Sequence, residues 1–292
     1  MSMKIDIFEP ISFCFGVQNS LKIIDETITK YNDRQIFCMG QPIHNELISK
    51  KLKDRGVNII ISELANYEKE ILLMPNESVI IFSAHGHDKK LDEICELKNM
   101  IIIDCVCPIV KNIQLEINKF INDDAHVIFI GKQNHPESYA ICKNAPKVKF
   151  WDISSRYSVD IQYKNTIIFN QTTILNNKLL PIFNELNNLN GEITIKNTSC
   201  KFVTERYKKL INLDINNYDF LIIAGSITSS NTMELFNTAI SLFGKEKCIL
   251  ISHEDDIKTI HKVVNTNDRI AIFSGTSAPP YLIENIKKAL MQ

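Results

Sequence analysis

The sequence predicts an α/β protein built of three similar small units, each a mainly parallel four-stranded sheet with its helices, facing one centre. Three observations carry this. Short Ile/Val/Phe runs bounded by turn residues alternate with helix-period stretches, the pattern of parallel sheets covered by helices. Cys14, Cys107 and Cys200 stand at two equal intervals of 93 residues that nearly exhaust the chain. Polar and imidazole residues then recur at similar offsets after each of those cysteines.

Apolar runs ending at Glu9, Met39, Ile61, Phe82, Asp104, Ile130, Trp151, Phe169, Lys196, Ala224, Ile251 and Phe273 predict twelve strands. Helical periodicity over 17–30, 45–55, 108–121 and 204–213 fills gaps between them. Each spaced cysteine follows a short strand (4–8, 100–104, 192–196) and precedes a helical pattern. The expected units are 15–107, 108–199 and 200–292. The last is one strand short unless residues 1–14 complete it, a closure that would bring Cys14 beside the other two cysteines.

About 30 residues after the cysteines stand His44, His135 and Ser229 with Asn231, and farther along come His85, Thr172 and Ser277. Each lies just beyond the carboxyl end of an expected strand, where open parallel sheets bind ligands.

Composition narrows the function classes. The 292 residues carry a net charge of −1, so no electrostatic footprint for nucleic acid or anionic lipid exists. The longest uninterrupted apolar run is five residues, Phe220–Ala224, against about 20 for a membrane span. The first residues have neither an apolar leader nor an Arg/Ser-rich amphipathic one, so a cytoplasmic location is expected. In a reducing compartment eight cysteines read as buried thiols, metal ligands or redox groups. No GxGxxG or Walker motif occurs, so neither a nicotinamide nor an ATP site is indicated.

Three thiolates at one centre suit zinc with water in the fourth position, or an iron-sulfur cluster with one iron lacking a protein ligand. Structural zinc sites usually draw two ligands from one short CxxC-like loop, and this chain has no CxxC. The wide spacing favours the cluster, and an open iron favours catalysis over simple electron transfer. Cys38, Cys95, Cys142 and Cys248 sit inside apolar segments and read as small hydrophobes, as does Cys105.

Eight segments occur in register with the three cysteines: Phe13-Cys14-Phe15-Gly16-Val17, Ile43-His44-Asn45, Phe82-Ser83-Ala84-His85-Gly86, Asp104-Cys105-Val106-Cys107-Pro108, His135-Pro136-Glu137, Gln171-Thr172-Thr173, Gly225-Ser226 with Ser229-Ser230-Asn231, and Gly275-Thr276-Ser277-Ala278-Pro279. Together they resemble the 4-hydroxy-3-methylbut-2-enyl diphosphate reductase family, the last step of the methylerythritol phosphate route to isoprenoids. The resemblance implies a cloverleaf of three domains around a central 4Fe-4S cluster held by Cys14, Cys107 and Cys200. It departs at Ser12, where the family usually has Gly, at Cys105-Val106, at Phe202-Val203 and at Tyr207.

The resemblance also implies the chemistry. An allylic alcohol bearing a diphosphate loses its hydroxyl as water with two electrons and two protons, giving isopentenyl and dimethylallyl diphosphates. The open iron binds the hydroxyl oxygen as Lewis acid. Glu137 is the expected proton donor, since a carboxyl enclosed near apolar substrate favours its protonated form. Thr172 and His135 accompany it, and His44, His85, His135, Ser229, Ser230, Asn231 and Ser277 form the diphosphate cradle. Read without the resemblance, Glu137 is a first-turn acid after Pro136, and Ser229 is a helix cap. His87, His126, His253 and His261 match no segment and are expected at the surface or at caps. No second cysteine set or flavin motif is present, so ferredoxin or flavodoxin is the expected electron donor to a monomer or homodimer. Two alternatives remain at this point: a non-redox cluster hydro-lyase, and a metal-binding or redox-sensing scaffold.

Overall fold

The structure is a computed structural model that describes residues 3–155, 165–187 and 192–291, the side chains of 259 and 261 excepted. Strand β1 (Lys4–Ile7) leads into helix α1 (Phe15–Lys30). Then follow β2 (Ile36–Met39), α2 (Glu46–Asp54), β3 (Val57–Ile60), α3 (Tyr67–Leu73), β4 (Val79–Phe82), α4 (Lys90–Leu97) and β5 (Ile101–Asp104). The middle of the chain forms α5 (Pro108–Asn122), β6 (His126–Gly131), α6 (Pro136–Asn144), β7 (Lys149–Asp152), β8 (Thr166–Asn170), α7 (Asn176–Asn187) and β9 (Ile193–Ile195). The last third forms α8 (Lys201–Ile211), β10 (Phe220–Ala224), α9 (Ser230–Phe243), β11 (Cys248–Ile251), α10 (Glu254–Thr259), β12 (Arg269–Ser274) and α11 (Pro280–Leu290). All twelve expected strands are present, with ends within two residues of expectation. None of the helices among the described residues is long and apolar enough to cross a membrane.

The strands form three four-stranded parallel sheets, ordered β3-β2-β4-β5, β7-β6-β8-β9 and β11-β10-β12-β1. Written in this direction the three orders are one topology. In the last sheet the fourth place is taken by β1, which pairs with β12 from Lys4 against Arg269 to Ile7 against Ile272. The N-terminal strand therefore completes the third sheet, as the missing strand required.

By contacts the chain divides into two compact units, Met1–Gln18 with Ile43–Lys51 and Lys201–Gln292, and Asn19–Pro42 with Leu52–Cys200. The first contains the sheet with β1, and the second contains the other two. In the second unit β6 shows why its sequence is a continuous apolar run: both faces are covered. Val127 and Phe129 pack with Ile113, Ile117 and Ile141 on one side, while Ile128 and Ile130 pack with Leu179, Phe183 and Leu186 on the other. The two-residue period of a strand sends alternate side chains to the two layers. In the first unit Ile222, Ile270 and Ile272 pack with Ile257, Leu282 and Ile286 in the same manner.

Candidate active site

The shared topology gives every site residue an address. In each sheet the two inner strands end in loops bearing the imidazole, hydroxyl and carboxyl groups. His44 follows β2 and His85 follows β4; His135 follows β6 and Thr172 follows β8; Ser229 follows β10 and Ser277 follows β12. The fourth strand of each sheet is an edge, and Cys107, Cys200 and Cys14 follow β5, β9 and β1. These are the carboxyl ends of parallel strands, where helix N-termini also present free N–H groups.

The three cysteines share a further feature. The N–H of Cys107 donates to the carbonyl of Ala84 (2.9 Å), that of Cys200 to Thr172 (2.8 Å), and that of Cys14 to Thr276 (3.0 Å). In each case the acceptor lies in the loop after the neighbouring inner strand. All three are half-buried and outside any disulfide. The remaining thiols differ. Cys38, Cys95 and Cys105 are buried and Cys142 and Cys248 half-buried. Burial pushes the Cys38 thiol far up, Cys105 to about 12, and Cys95, Cys142 and Cys248 to about 11, so these stay protonated. Cys105 at a departure position is thus a core thiol, and its carbonyl accepts from Ser20 Oγ at 2.9 Å.

In the second unit, His135 is the N-cap of α6: its Nδ1 accepts from the Glu137 N–H at 3.2 Å, with Pro136 at the first helical position. The cap directs Glu137 inward, where it is 1% exposed. The Thr172 N–H donates to Glu137 Oε1 (2.8 Å) and the Thr172 hydroxyl to Oε2 (2.6 Å). Desolvation raises the Glu137 pKa to about 7 despite both hydrogen bonds, which act to lower it. The His85 and His135 rings meet edge to face at 5.5 Å between centroids, and His85 Nδ1 lies 3.1 Å from Ser83 Oγ. Gly86 comes next at φ +85°, where an added Cβ would lie 2.9 Å from Gln114 Nε2, so this turn beside His85 requires glycine.

In the first unit, the Ser277 hydroxyl donates to the His44 carbonyl (3.3 Å) and Asn45 Nδ2 donates to the Ser277 carbonyl (3.0 Å). Burial lowers the His44 pKa, keeping the imidazole neutral. Ser229 caps α9, its Oγ accepting from the Thr232 N–H, and Ser230 and Asn231 open the helix. Asn231 Oδ1 accepts from the Thr276 N–H at 2.8 Å, while its Nδ2 is buried with no hydrogen bond in the structure. An unused buried donor beside a helix N-terminus and serine hydroxyls matches what an anionic ligand needs.

Gln171 and His87 make contacts to which sequence reasoning assigns no part. Gln171 is fully buried; its Oε1 accepts from the Lys132 N–H (2.9 Å) and its Nε2 donates to Thr173 Oγ1 (2.6 Å), tying the loop before His135 to the one bearing Thr172. Its place in the segment Gln171-Thr172-Thr173 is the sequence signal for it. His87, expected at the surface or a cap, is buried: it stacks on Phe82 at 3.6 Å, with Nε2 2.7 Å from Asp92 Oδ1. An apolar ring face one residue past Gly86 outweighed its polar edge. His253 does cap α10 with a reciprocal Asp256 bond, whereas His126, expected at the surface or at a cap, opens β6 half-buried with its Nε2 enclosed. The side chain of His261 lies outside those described. Of the departures, Val203 and Tyr207 are buried in α8, Phe202 is half-buried there, and Ser12 adopts φ +65°.

The model of the family described as LytB protein matches residues 5–291. The chain belongs to this family. A curated relative from Caldanaerobacter subterraneus subsp. tengcongensis, named 4-hydroxy-3-methylbut-2-enyl diphosphate reductase, is 28% identical over 97% of this chain and 95% of its own. Relatives of the same name from Buchnera aphidicola subsp. Schizaphis graminum (27%, covering 99% of this chain and 90% of theirs) and Clostridioides difficile (28%, 97% and 98%) are similar over the same extent. The fold matches the solved structure of the E-1-hydroxy-2-methyl-but-2-enyl-4-diphosphate reductase from Plasmodium falciparum with a TM-score of 0.81, at 22% identity over 99% of this chain and 87% of that one. A second solved reductase structure matches with a TM-score of 0.68, at 22% identity over 99% of both chains.

Proposed function

We propose that this LytB family member reduces 4-hydroxy-3-methylbut-2-enyl diphosphate to isopentenyl and dimethylallyl diphosphates, the terminal reaction of the methylerythritol phosphate route. The observation that carries the proposal is the threefold repetition of a half-buried cysteine, outside any disulfide, after an edge strand, with its N–H tied to the adjacent inner-strand loop. A donor set of three equivalent thiols suits a 4Fe-4S cluster with one iron free of protein ligands. Cys14, Cys107 and Cys200 would hold it. When bound, such a cluster supplies the two electrons and a Lewis-acidic iron for the hydroxyl oxygen.

The balance is R–OH plus two electrons and two protons to R–H plus water, so the residues must hold a proton for the departing oxygen. Glu137 does this at the right pH, since burial keeps much of it protonated near neutrality. Its Oε1 is pinned as acceptor by the Thr172 N–H, which leaves Oε2 to carry the acid proton. The Thr172 hydroxyl, which donates to Oε2 of the ionised carboxyl at 2.6 Å, is the group placed to take up that proton and pass on its own when Glu137 is protonated. His135 orients Glu137 through the cap. The diphosphate is assigned to His44, His85, His135, Ser229, Ser230, Asn231 and Ser277, which offer many donors of modest charge.

The electrons come from ferredoxin or flavodoxin in the cytoplasm, and the working domains are assigned to 15–107, 108–199 and 200–292 with 1–14. Anaerobic purification with iron and sulfide quantitation tests the reading. About four of each per chain, with a spectral change on adding the hydroxylated allylic diphosphate, supports it. Zinc alone, or no metal in protein kept from air, overturns it in favour of a scaffold, and turnover without any reductant identifies a hydro-lyase.

A further inference from the structure

We propose that Arg206 is a positioning residue for Cys14, acting through the backbone of Ser12; the inference rests on the reading of Cys14 as a cluster ligand. A guanidinium is among the costliest groups to bury, and Arg206 is 2% exposed, the largest fully buried side chain among the described residues. Its Nη2 donates to the Ser12 carbonyl at 2.6 Å and its Nη1 to the Phe202 carbonyl, one turn back on α8, at 3.0 Å. The planar fork thus joins a helix whose first residue follows Cys200 to the loop that presents Cys14.

Ser12 is the residue that needs holding. It sits at φ +65°, a region unfavourable for a residue with a Cβ. All three of its polar groups are engaged: N–H to Ser274 Oγ (2.6 Å), Oγ to the Ala278 carbonyl (2.9 Å), and its own carbonyl to Arg206. Two residues on, the Cys14 N–H donates to the Thr276 carbonyl, and the Cys14 carbonyl accepts from the Gln18 N–H. A left-handed residue turns the chain sharply, so its conformation decides where the next side chains point. Arg206 fixes that turn, and with it the direction of the Cys14 thiol. The serine hydroxyl supplies a tie that glycine at this position lacks.

The test uses the full-length chain, reduced, metal-free and anaerobic, pulsed with iodoacetamide, with Cys14, Cys107 and Cys200 followed separately by peptide mass. Arg206→Gln is expected to raise the alkylation rate of Cys14 about tenfold, the factor set by about 1.4 kcal/mol, and to leave Cys107 and Cys200 unchanged. Arg206→Lys, which keeps the charge but not the fork, gives a smaller rise and carries the test if the glutamine variant does not fold. An unchanged Cys14 rate overturns the proposal, and so does a parallel rise at all three cysteines together with buried Cys38, which marks general loosening. Iron and sulfide content of the anaerobically purified unsubstituted chain is measured alongside. If it takes up neither, the cluster reading falls while the alkylation pattern still decides whether Arg206 holds Cys14.

Discussion

Thr172 contacts both carboxyl oxygens of Glu137, its N–H at 2.8 Å from Oε1 and its hydroxyl at 2.6 Å from Oε2. A single residue after β8 therefore sets the orientation and part of the acidity of a carboxyl on α6. The pair has opposing tendencies: desolvation favours the neutral acid, and the two donated hydrogen bonds favour the anion. Because desolvation dominates, the group stands near neutrality.

The pH dependence comes from that balance. If protonated Glu137 is required, kcat/KM falls as pH rises through about 7. Stability has the same sign. The folded pKa lies above the ordinary value of 4.5, so the folded state binds more protons than the unfolded one between these values. The contribution is full below about 4.5 and is lost as pH rises through about 7. Glu137→Gln should abolish this part of the pH dependence of unfolding and lower kcat by about a hundredfold or more. A pH-independent rate in the unsubstituted enzyme between pH 6 and 8.5 would refute the assignment.

Thr172→Val removes the hydroxyl donor and keeps the backbone one. Losing a bond that lowers the Glu137 pKa moves the alkaline limb of the profile upward, while the broken relay lowers kcat about tenfold to a hundredfold. Thr172→Ser should restore both. A limb that moves down in the valine variant contradicts the hydrogen-bond assignment.

Cysteine substitutions separate ligands from core thiols. If the proposed cluster is held as assigned, Cys14→Ser, Cys107→Ser and Cys200→Ser are each expected to cost the chain its full iron and sulfide content. Cys38→Ala leaves that content intact while lowering stability by roughly 1 kcal/mol, since it trims a side chain that is 0% exposed. Metal analysis and thermal unfolding of the four variants give the comparison.

Asn231 offers a substitution with separable effects. Asn231→Asp keeps the acceptor for the Thr276 N–H, so the first unit keeps its fold. It replaces the unused Nδ2 donor by an oxygen and places negative charge where the diphosphate is assigned. KM should rise by about tenfold to a hundredfold with little change in unfolding temperature, consistent with losing a hydrogen bond to a charged group. Unchanged KM would remove Asn231 from the cradle.

Gly225→Ala tests the packing beneath the same loops. Gly225 has φ +145°, and an added Cβ would lie 2.5 Å from Thr232 Oγ1. The variant should lose roughly 1–3 kcal/mol, measured by denaturant unfolding. Gly56→Ala is the control, because its φ is also positive but nothing lies within 4 Å of an added Cβ.

The strands themselves and the addresses of the site residues at their carboxyl ends were legible in the sequence because both depend on local periodicity, whereas the order of the strands within each sheet was not. A buried parallel strand reads as an uninterrupted apolar run, and the residues just beyond its carboxyl end face the ligand side. The equal spacing of Cys14, Cys107 and Cys200 marked one topology used three times, and the missing strand of the third sheet pointed to Lys4–Ile7. The tertiary structure alone decided the pairings between residues distant in sequence. Nothing local to Arg206 says that its guanidinium is buried against the carbonyl of Ser12, nor does His87 announce that it stacks inside on Phe82. Glu137 reads as an ordinary first-turn acid, and only its burial in the folded protein raises its pKa to about 7, against the hydrogen bonds from Thr172, 35 positions along the chain. Periodicity is a property of neighbours along the chain, whereas burial of charge and the acidity it tunes depend on the groups that the fold brings from elsewhere.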